Sequence, residues 1–487
     1  MGLVGFSVLL IILYIGFCIG VGIYGQIKAK NSEQYVVAKR SMHPAIIAVA
    51  AAATVGSGIT FLGCPGFTYK FGYPGLWYST SWTWLIPFVT LITFFAFRKF
   101  IEKSGAMTIP GFLGDRFKSD TVRVLAVILA CIAQLFFLGG QYTGAGHIMS
   151  TIFDIPYSYG VILMGVVVAF YVAAGGYRSI AVTNTLMGFL MATCALILFF
   201  VAYIMFPGGT DALNAKLASL DMNSLQVFHP ESGPIASSVF AIYAIGLPLA
   251  FYAFSPQTSA HLFATKDFSF KTITIYTFVI WGLFVIFGLT PFAGLAAKAH
   301  GIVSASPDAA LAIMVKQLYH PIFAAFLLVA ILSAIWSTAD VVLFAIATGI
   351  SNDLFSNVIF KRKGWSAEKI DKTNMLIARI FIVLLSIISV LMVINPPKFL
   401  VIFIWIGLGS AMVVVAPVVV ISALWSRATK AAAIGSMVIS AIMFYSMIIS
   451  GVNSFTASGI QLPITIALMF IISLFTKPEA EEELRNA

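Results

Sequence analysis

Apolar runs of about 20 residues, parted by short polar stretches, recur along the whole chain. A run of that length crosses the hydrocarbon core of a bilayer as one helix. Thirteen such segments are predicted: 3–24, 44–73, 75–97, 122–153, 156–176, 180–206, 236–256, 272–297, 321–350, 374–395, 399–425, 430–451 and 460–476. The first is too long for a signal-peptide core and lacks a basic start and a small-residue cleavage site, so it reads as a spanning helix. The expected fold class is an all-α integral membrane protein with about 13 transmembrane helices. Composition agrees: 60% of the 487 residues are hydrophobic and 9% charged, where soluble domains carry roughly a quarter charged residues.

The polar stretches alternate in charge. Counted by loop, 23 of the 28 Lys and Arg residues fall on one side of the predicted bundle, and only Lys70, Lys216, Lys298, Lys316 and Lys398 on the other. The positive-inside rule places the rich side in the cytoplasm, with the N-terminus outside and the C-terminus inside. The net charge of +10 is therefore a topology signal, and no nucleic-acid partner is expected. The acidic tail from Glu479 to Glu483 reads as a solvated terminus. Cys18, Cys64, Cys131 and Cys194 all fall in spans without metal-ligand spacing. No Walker loop and no HExxH motif is present, so neither an ATP-driven pump nor a membrane protease is supported, and no enzyme is expected.

Two kinds of feature carry candidate chemistry. The first is a carboxylate, Asp340, inside the apolar run from Phe323 to Ile350. An acid in hydrocarbon is costly and marks a functional site by default. Residues three and four apart share a helix face, so Ser333, Ser337 and Asp340 line up with Thr338 beside them. Hard oxygens crowded there suit a small cation or a proton; alternatively the hydroxyls bond back to helix carbonyls and the acid pairs with a neighbour. The second feature is broken helices, whose freed backbone groups bind ions and solutes in transporters. The best candidate is the second span, with a flexible centre at Gly56-Ser57-Gly58 and a second break at Gly63, Pro65 and Gly66. Close packing explains Gly56 and Gly58 about equally well. Gly246-Leu247-Pro248 in the seventh span and Leu138 to Gly144 in the fourth are further candidates. His147, His261 and His320 read as surface or interfacial histidines.

Taken together, three stretches resemble the sodium:solute symporter family: ATVGSGITFLGCPG (Ala53 to Gly66), YVAAGGYRSI (Tyr171 to Ile180) and AIWSTAD (Ala334 to Asp340). Lys266-Asp267 adds to the likeness, which covers nearly the whole chain. The resemblance implies a leucine-transporter-like core of two inverted five-helix repeats and alternating access. It implies a single transport domain: residues 1–43 a first helix and cytoplasmic loop, 44–425 the core, 426–476 two peripheral helices and 477–487 a cytoplasmic tail. It also implies a sodium ion held by the carbonyls of Ala53, Gly56 and Ala334 and the hydroxyls of Ser337 and Thr338. Two departures stand out. Where many members carry Trp-Thr-Asp, this chain has Val182-Thr183-Asn184, while Asp340 replaces a serine of the sialic acid symporters. A second site of Ser337 and Asp340 with Thr183 or Asn184, holding sodium or a proton, is the expectation. His261 stands where several members have an Arg.

The expected function is sodium-coupled import of a small organic solute across the plasma (inner) membrane by a monomer. The pocket would draw on Thr54, Ser57, Thr60, Gln141, Tyr142 and Tyr243. Ser306-Pro307-Asp308 with Met314-Val315-Lys316, and Asp154-Ile155-Pro156-Tyr157, resemble the monocarboxylate and pantothenate branches, so an organic acid is expected, with a proline-like amino acid as alternative. Proton coupling through Asp340 is a rival. A ligand sensor without transport is a third reading, opposed by the short stretch after the last span; a channel finds no filter-like repeat.

Overall fold

The computed structural model describes residues 2–81, 83, 91, 105–232, 237–395 and 400–477. Among the described residues all regular structure is helical, apart from one isolated bridge between Met42 and Thr265. Nine helices among them are long and apolar enough to cross a membrane, or ten when the bent pair Pro44–Val55 and Ile59–Phe71 counts as one span. The thirteen predicted segments map onto these elements with three differences. Predicted segment 75–97 lies mostly, and the acidic tail entirely, outside the described residues. Segments 156–176 and 180–206 belong to one element, Tyr157–Ile204, interrupted at Gly176. There φ is +64°, and a Cβ would meet Tyr35, so glycine is required twice over. Segment 236–256 is divided into short turns.

Burial ranks the helices. The most apolar stretch of Pro321–Phe360 is 83% buried, that of Leu3–Lys28 only 28%. Phe403–Leu424, at 89%, is interior too; the longer Pro321–Phe360 serves as the axis of the bundle, and Leu3–Lys28 faces lipid, docked through Tyr14 stacked 4.5 Å from Trp336. The axis runs ten residues beyond its predicted end, because a π-helical stretch, Gly349–Phe360, continues it.

Several glycines expected to break helices instead bring helices together. Asp120–Phe153 is continuous through Gly139-Gly140. A Cβ on Gly140 would overlap Ile404, and one on Gly407 would overlap Ala133 of the facing helix. Without a hydrophobic driving force in lipid, such close approach is what holds spans together. The same holds at Gly63 and Gly66: residues 59–71 remain helical, and Cβ atoms there would meet Val401 and Pro307.

At the end of the bundle away from the basic loops, residues 290–308 are tied to the second half of the bent pair. Thr290 Oγ1 donates to the Thr60 carbonyl at 2.6 Å, Thr68 Oγ1 to Pro291 at 2.6 Å, and the Tyr69 hydroxyl to Ile302 at 2.7 Å. Asp308 closes this segment. Its Oδ2 accepts from the Leu400 N–H at 2.8 Å, and the side chain is 1% exposed. Burial pushes its pKa up from 3.8 to about 7.

Two outcomes are expected. Gly140→Val should lower the thermal unfolding midpoint of the purified protein, overpacking a helix contact by about 1–3 kcal/mol. Gly282→Ala, inside a helix where a Cβ meets nothing within 4 Å, should hold or raise it, since Ala favours the helix over Gly by about 0.5–1 kcal/mol. For Asp308 the folded-state pKa lies above the unfolded one, so folding takes up a proton. The stability this contributes is full below about pH 4 and lost as pH rises through about 7. Wild type should lose thermal stability across that window relative to Asp308→Asn.

Candidate functional site

The first half of the bent pair ends at Val55 and turns 51° before the second begins. A helix that stops inside a membrane frees carbonyls at one end and N–H groups at the other, and each must find a partner. Gly56 (φ −69°, ψ 70°) leaves the helical path. Ser57 Oγ accepts from the Ile59 N–H at 3.2 Å, and the Ser57 carbonyl from the Thr60 N–H at 2.9 Å. Gln141 reaches in from the neighbouring helix, its Oε1 accepting from the Gly58 N–H at 3.0 Å. A Cβ on Gly58 would sit 3.0 Å from that same oxygen, so a bare backbone is needed at this point.

The freed carbonyls meet the axial helix. Ser337 Oγ donates to the Ala53 carbonyl at 2.9 Å and lies 3.0 Å from the Ala334 carbonyl. Thr338 Oγ1 lies 2.7 Å from the Thr54 carbonyl and 3.3 Å from that of Ala334. Of the five predicted ligands, Ala53, Ala334, Ser337 and Thr338 thus converge. Gly56 stands at the helix end beside them, and the Thr54 carbonyl is an additional member. All are neutral oxygens and fully buried, the donor chemistry that suits a hard monovalent cation.

One turn further along the axis, Asp340 is fully buried. The Tyr171 hydroxyl donates to its Oδ2 at 3.1 Å and Asn184 Nδ2 to its Oδ1 at 3.2 Å. Asn184 Nδ2 also lies 2.8 Å from the Ser337 carbonyl, so it touches both groups of oxygens, while its own Oδ1 has no partner. Thr183 does not join them: its hydroxyl bonds back to Ser179 and Ile180. Ser333 likewise bonds back, to Ala330.

Beside the break lies a half-open cavity walled by Val55, Ser57, Ile59, Thr60, Tyr78, Phe137, Leu249, Tyr252 and Leu408. Of the six predicted solute contacts, Ser57 and Thr60 line it, and the Thr60 hydroxyl is buried without a partner. Gln141 stands at its edge through Gly58, with a partnerless Nε2. The other three point elsewhere. The Thr54 hydroxyl turns to His261, Tyr142 bonds Ser386 at 2.8 Å, and Tyr243 is 40% exposed against the Gly459 helix. Tyr78, Phe137 and Tyr252 carry no sequence signal that would have found them. Leu249 and Tyr252 arrive through the second broken span, whose break falls at 250–255 and not at Pro248. Ser255 is extended (φ −73°, ψ 152°) ahead of Pro256, the backbone a residue before proline prefers. His261, expected at an interface, is fully buried.

The model of the family described as "Sodium:solute symporter family" matches residues 35–440. The osmoregulated proline transporter OpuE of Bacillus subtilis is 27% identical, covering 96% of this chain and 94% of its own length. The high-affinity proline transporter PutP of the same organism is 26% identical, covering 95% and 96%. Among solved structures, a Na+-coupled sialic acid symporter in a substrate-bound outward-open state superposes with a TM-score of 0.80 at 16% identity, covering 97% of this chain and 98% of that one. MhsT in complex with L-phenylalanine superposes at 0.54 and 14% identity, covering 89% and 99%. The fold is that of the leucine-transporter-like carriers, and the relatives are transporters, not enzymes.

Asn184 and Thr183 separate cleanly by substitution. Asn184→Ala removes the donor to Asp340 and to the Ser337 carbonyl and should cost on the order of 1–3 kcal/mol, seen as a lower unfolding midpoint. Thr183→Ala should be close to neutral.

Proposed function

The chain belongs to the sodium:solute symporter family, and on that premise we propose that it is a sodium-coupled importer of a small carboxylate-bearing solute. The observation that carries this reading is the meeting of the Ser337 and Thr338 hydroxyls with the Ala53 and Thr54 carbonyls across the break. A sodium ion there replaces hydroxyl protons as the partner of the carbonyls, and the hydroxyls present lone pairs to it. The ion then holds the first half of the bent span to the axial helix. Only with that half fixed is the cavity wall from Val55 to Thr60 complete, so ion and solute binding favour each other. Release of both toward the side with the basic loops, read as the cytoplasm from charge, uses the inward sodium gradient.

The cavity wall bears no charged side chain. What it has is a helix C-terminus at Val55 and a helix N-terminus at Ile59, of opposite partial charge. That pair suits a zwitterion: ammonium toward the partial negative end at Val55, carboxylate toward the partial positive end at Ile59 and the Thr60 hydroxyl. A small amino acid such as proline is therefore favoured over a monocarboxylate or pantothenate, in keeping with relatives described as proline transporters. A second reading rests on Asp340. Among the described residues no Lys or Arg bonds to this buried acid, and the Tyr171 hydroxyl beside Oδ2 can accept as well as donate, so a protonated carboxyl can be held there as a second coupling site.

Thermal unfolding in sodium, potassium and choline chloride at equal ionic strength tests the ion. Sodium alone should stabilise wild type, by roughly 2.7 kcal/mol at a hundredfold excess over Kd, and Ser337→Ala should abolish the gain. Proteoliposomes should take up proline only with an inward sodium gradient. Proton coupling instead predicts uptake that follows a pH gradient and is lost in Asp340→Asn.

A further inference from the structure

His261 lies on Pro256–Phe263, the second half of the other broken span, and is fully buried. Its Nε2 is 2.9 Å from Thr54 Oγ1 and its Nδ1 2.7 Å from the Tyr177 hydroxyl. The bonding at Thr54 decides which nitrogen carries the proton. Thr54 Oγ1 has one hydrogen and two lone pairs. Two carbonyls stand ready for the hydrogen, Ala50 at 2.9 Å and Ser337 at 3.3 Å. Asn184 Nδ2, 3.4 Å away, has its two hydrogens nearer the Ser337 carbonyl and Asp340, so a Thr54 lone pair is open to the imidazole. His261 therefore donates from Nε2, and Nδ1 accepts from Tyr177. The imidazole is neutral, and every polar atom of the trio has a partner. Tyr177 in turn directly follows the break at Gly176, and its ring packs edge-on against His261 at 5.6 Å. The clamp thus rests on the bend of a separate helix.

Thr54 is the residue this clamp holds. It sits in the last turn before the break, its carbonyl accepts from Thr338, and the carbonyl before it, Ala53, accepts from Ser337. A freed helix end has no intrahelical bonds to fix the direction of its last carbonyls, so a side-chain clamp within that turn sets it. We propose that His261 is a positioning residue for the coupling ion. Held by Tyr177, it fixes Thr54 so that the Ala53 and Thr54 carbonyls face Ser337 and Thr338, and it links ion occupancy to the placement of the second broken span. The proposal rests on reading that group of oxygens as the sodium site.

The test is a sodium titration of the unfolding midpoint, repeated as the sodium dependence of uptake. His261→Phe keeps the ring and removes both bonds. It should raise the half-saturating sodium concentration about tenfold, the scale of one buried hydrogen bond, while maximal uptake at saturating sodium is kept. His261→Gln, whose amide both donates and accepts, should stay close to wild type. Tyr177→Phe, which leaves the imidazole in place but unheld, should shift sodium dependence in the same direction and guards against misfolding of His261→Phe. Adding His261→Phe to Thr54→Val should change nothing further, because the bonded atom is already gone. An equal loss of stability with and without sodium, or a His261→Gln variant as impaired as His261→Phe, overturns the proposal and reduces His261 to packing. Wild type without any sodium stabilisation would instead remove the ion-site reading itself, and this proposal with it.

Discussion

A helix interrupted inside the membrane is the constraint on which the rest of this structure depends. At Gly56-Ser57-Gly58 the backbone leaves the helical path where no water can satisfy it. Each freed group therefore needs a partner from another element. Gln141 takes the Gly58 N–H, and Ser337 and Thr338 take the carbonyls of Ala53 and Thr54. The need for partners explains why a helix as deeply buried as Pro321–Phe360 carries hydroxyls in its middle. An apolar axis would pack as well and leave the broken span unsatisfied.

The same constraint accounts for the reach of the polar network. Asn184 touches the Ser337 carbonyl, Asp340 and Thr54. Thr54 passes the chain on to His261, and His261 to Tyr177. Four elements separated by scores of residues meet within one chain of hydrogen bonds. In a low-dielectric interior, loss of one member strands its neighbours, so such a network favours a few discrete arrangements over a continuum. A carrier that must be either closed around its cargo or open to one side needs that property.

Glycine shows where reading the chain alone reaches its limit. Gly56 and Gly58 mark a true break, while Gly63, Gly66, Gly139 and Gly140 serve close approach between helices. Locally the two uses look alike, since both need the absence of a Cβ. What separates them is the backbone itself, which leaves the helical path at Gly56 and stays helical through Gly63, Gly66, Gly139 and Gly140. Proline misleads in a similar way. Pro248 is accommodated within a helical turn, and the chain opens further on, where Pro256 forces Ser255 into extended geometry.

The membrane class, most of the helices, the break in the second span and the placing of Ser337, Thr338 and Asp340 inside an apolar helix are all written in the sequence. Each depends on local chemistry: length of apolar run, glycine in a helix, oxygen in hydrocarbon. The family motifs add which helix faces which. Partners in space were decided by the tertiary structure. Asn184 and Tyr171 share Asp340, Thr183 does not, Thr54 and Tyr142 turn away from the cavity, and His261 is buried between Thr54 and Tyr177. The reason is geometric. One residue of difference rotates a side chain by about 100° around a helix, and only the positions of the neighbouring helices determine which rotation meets a partner.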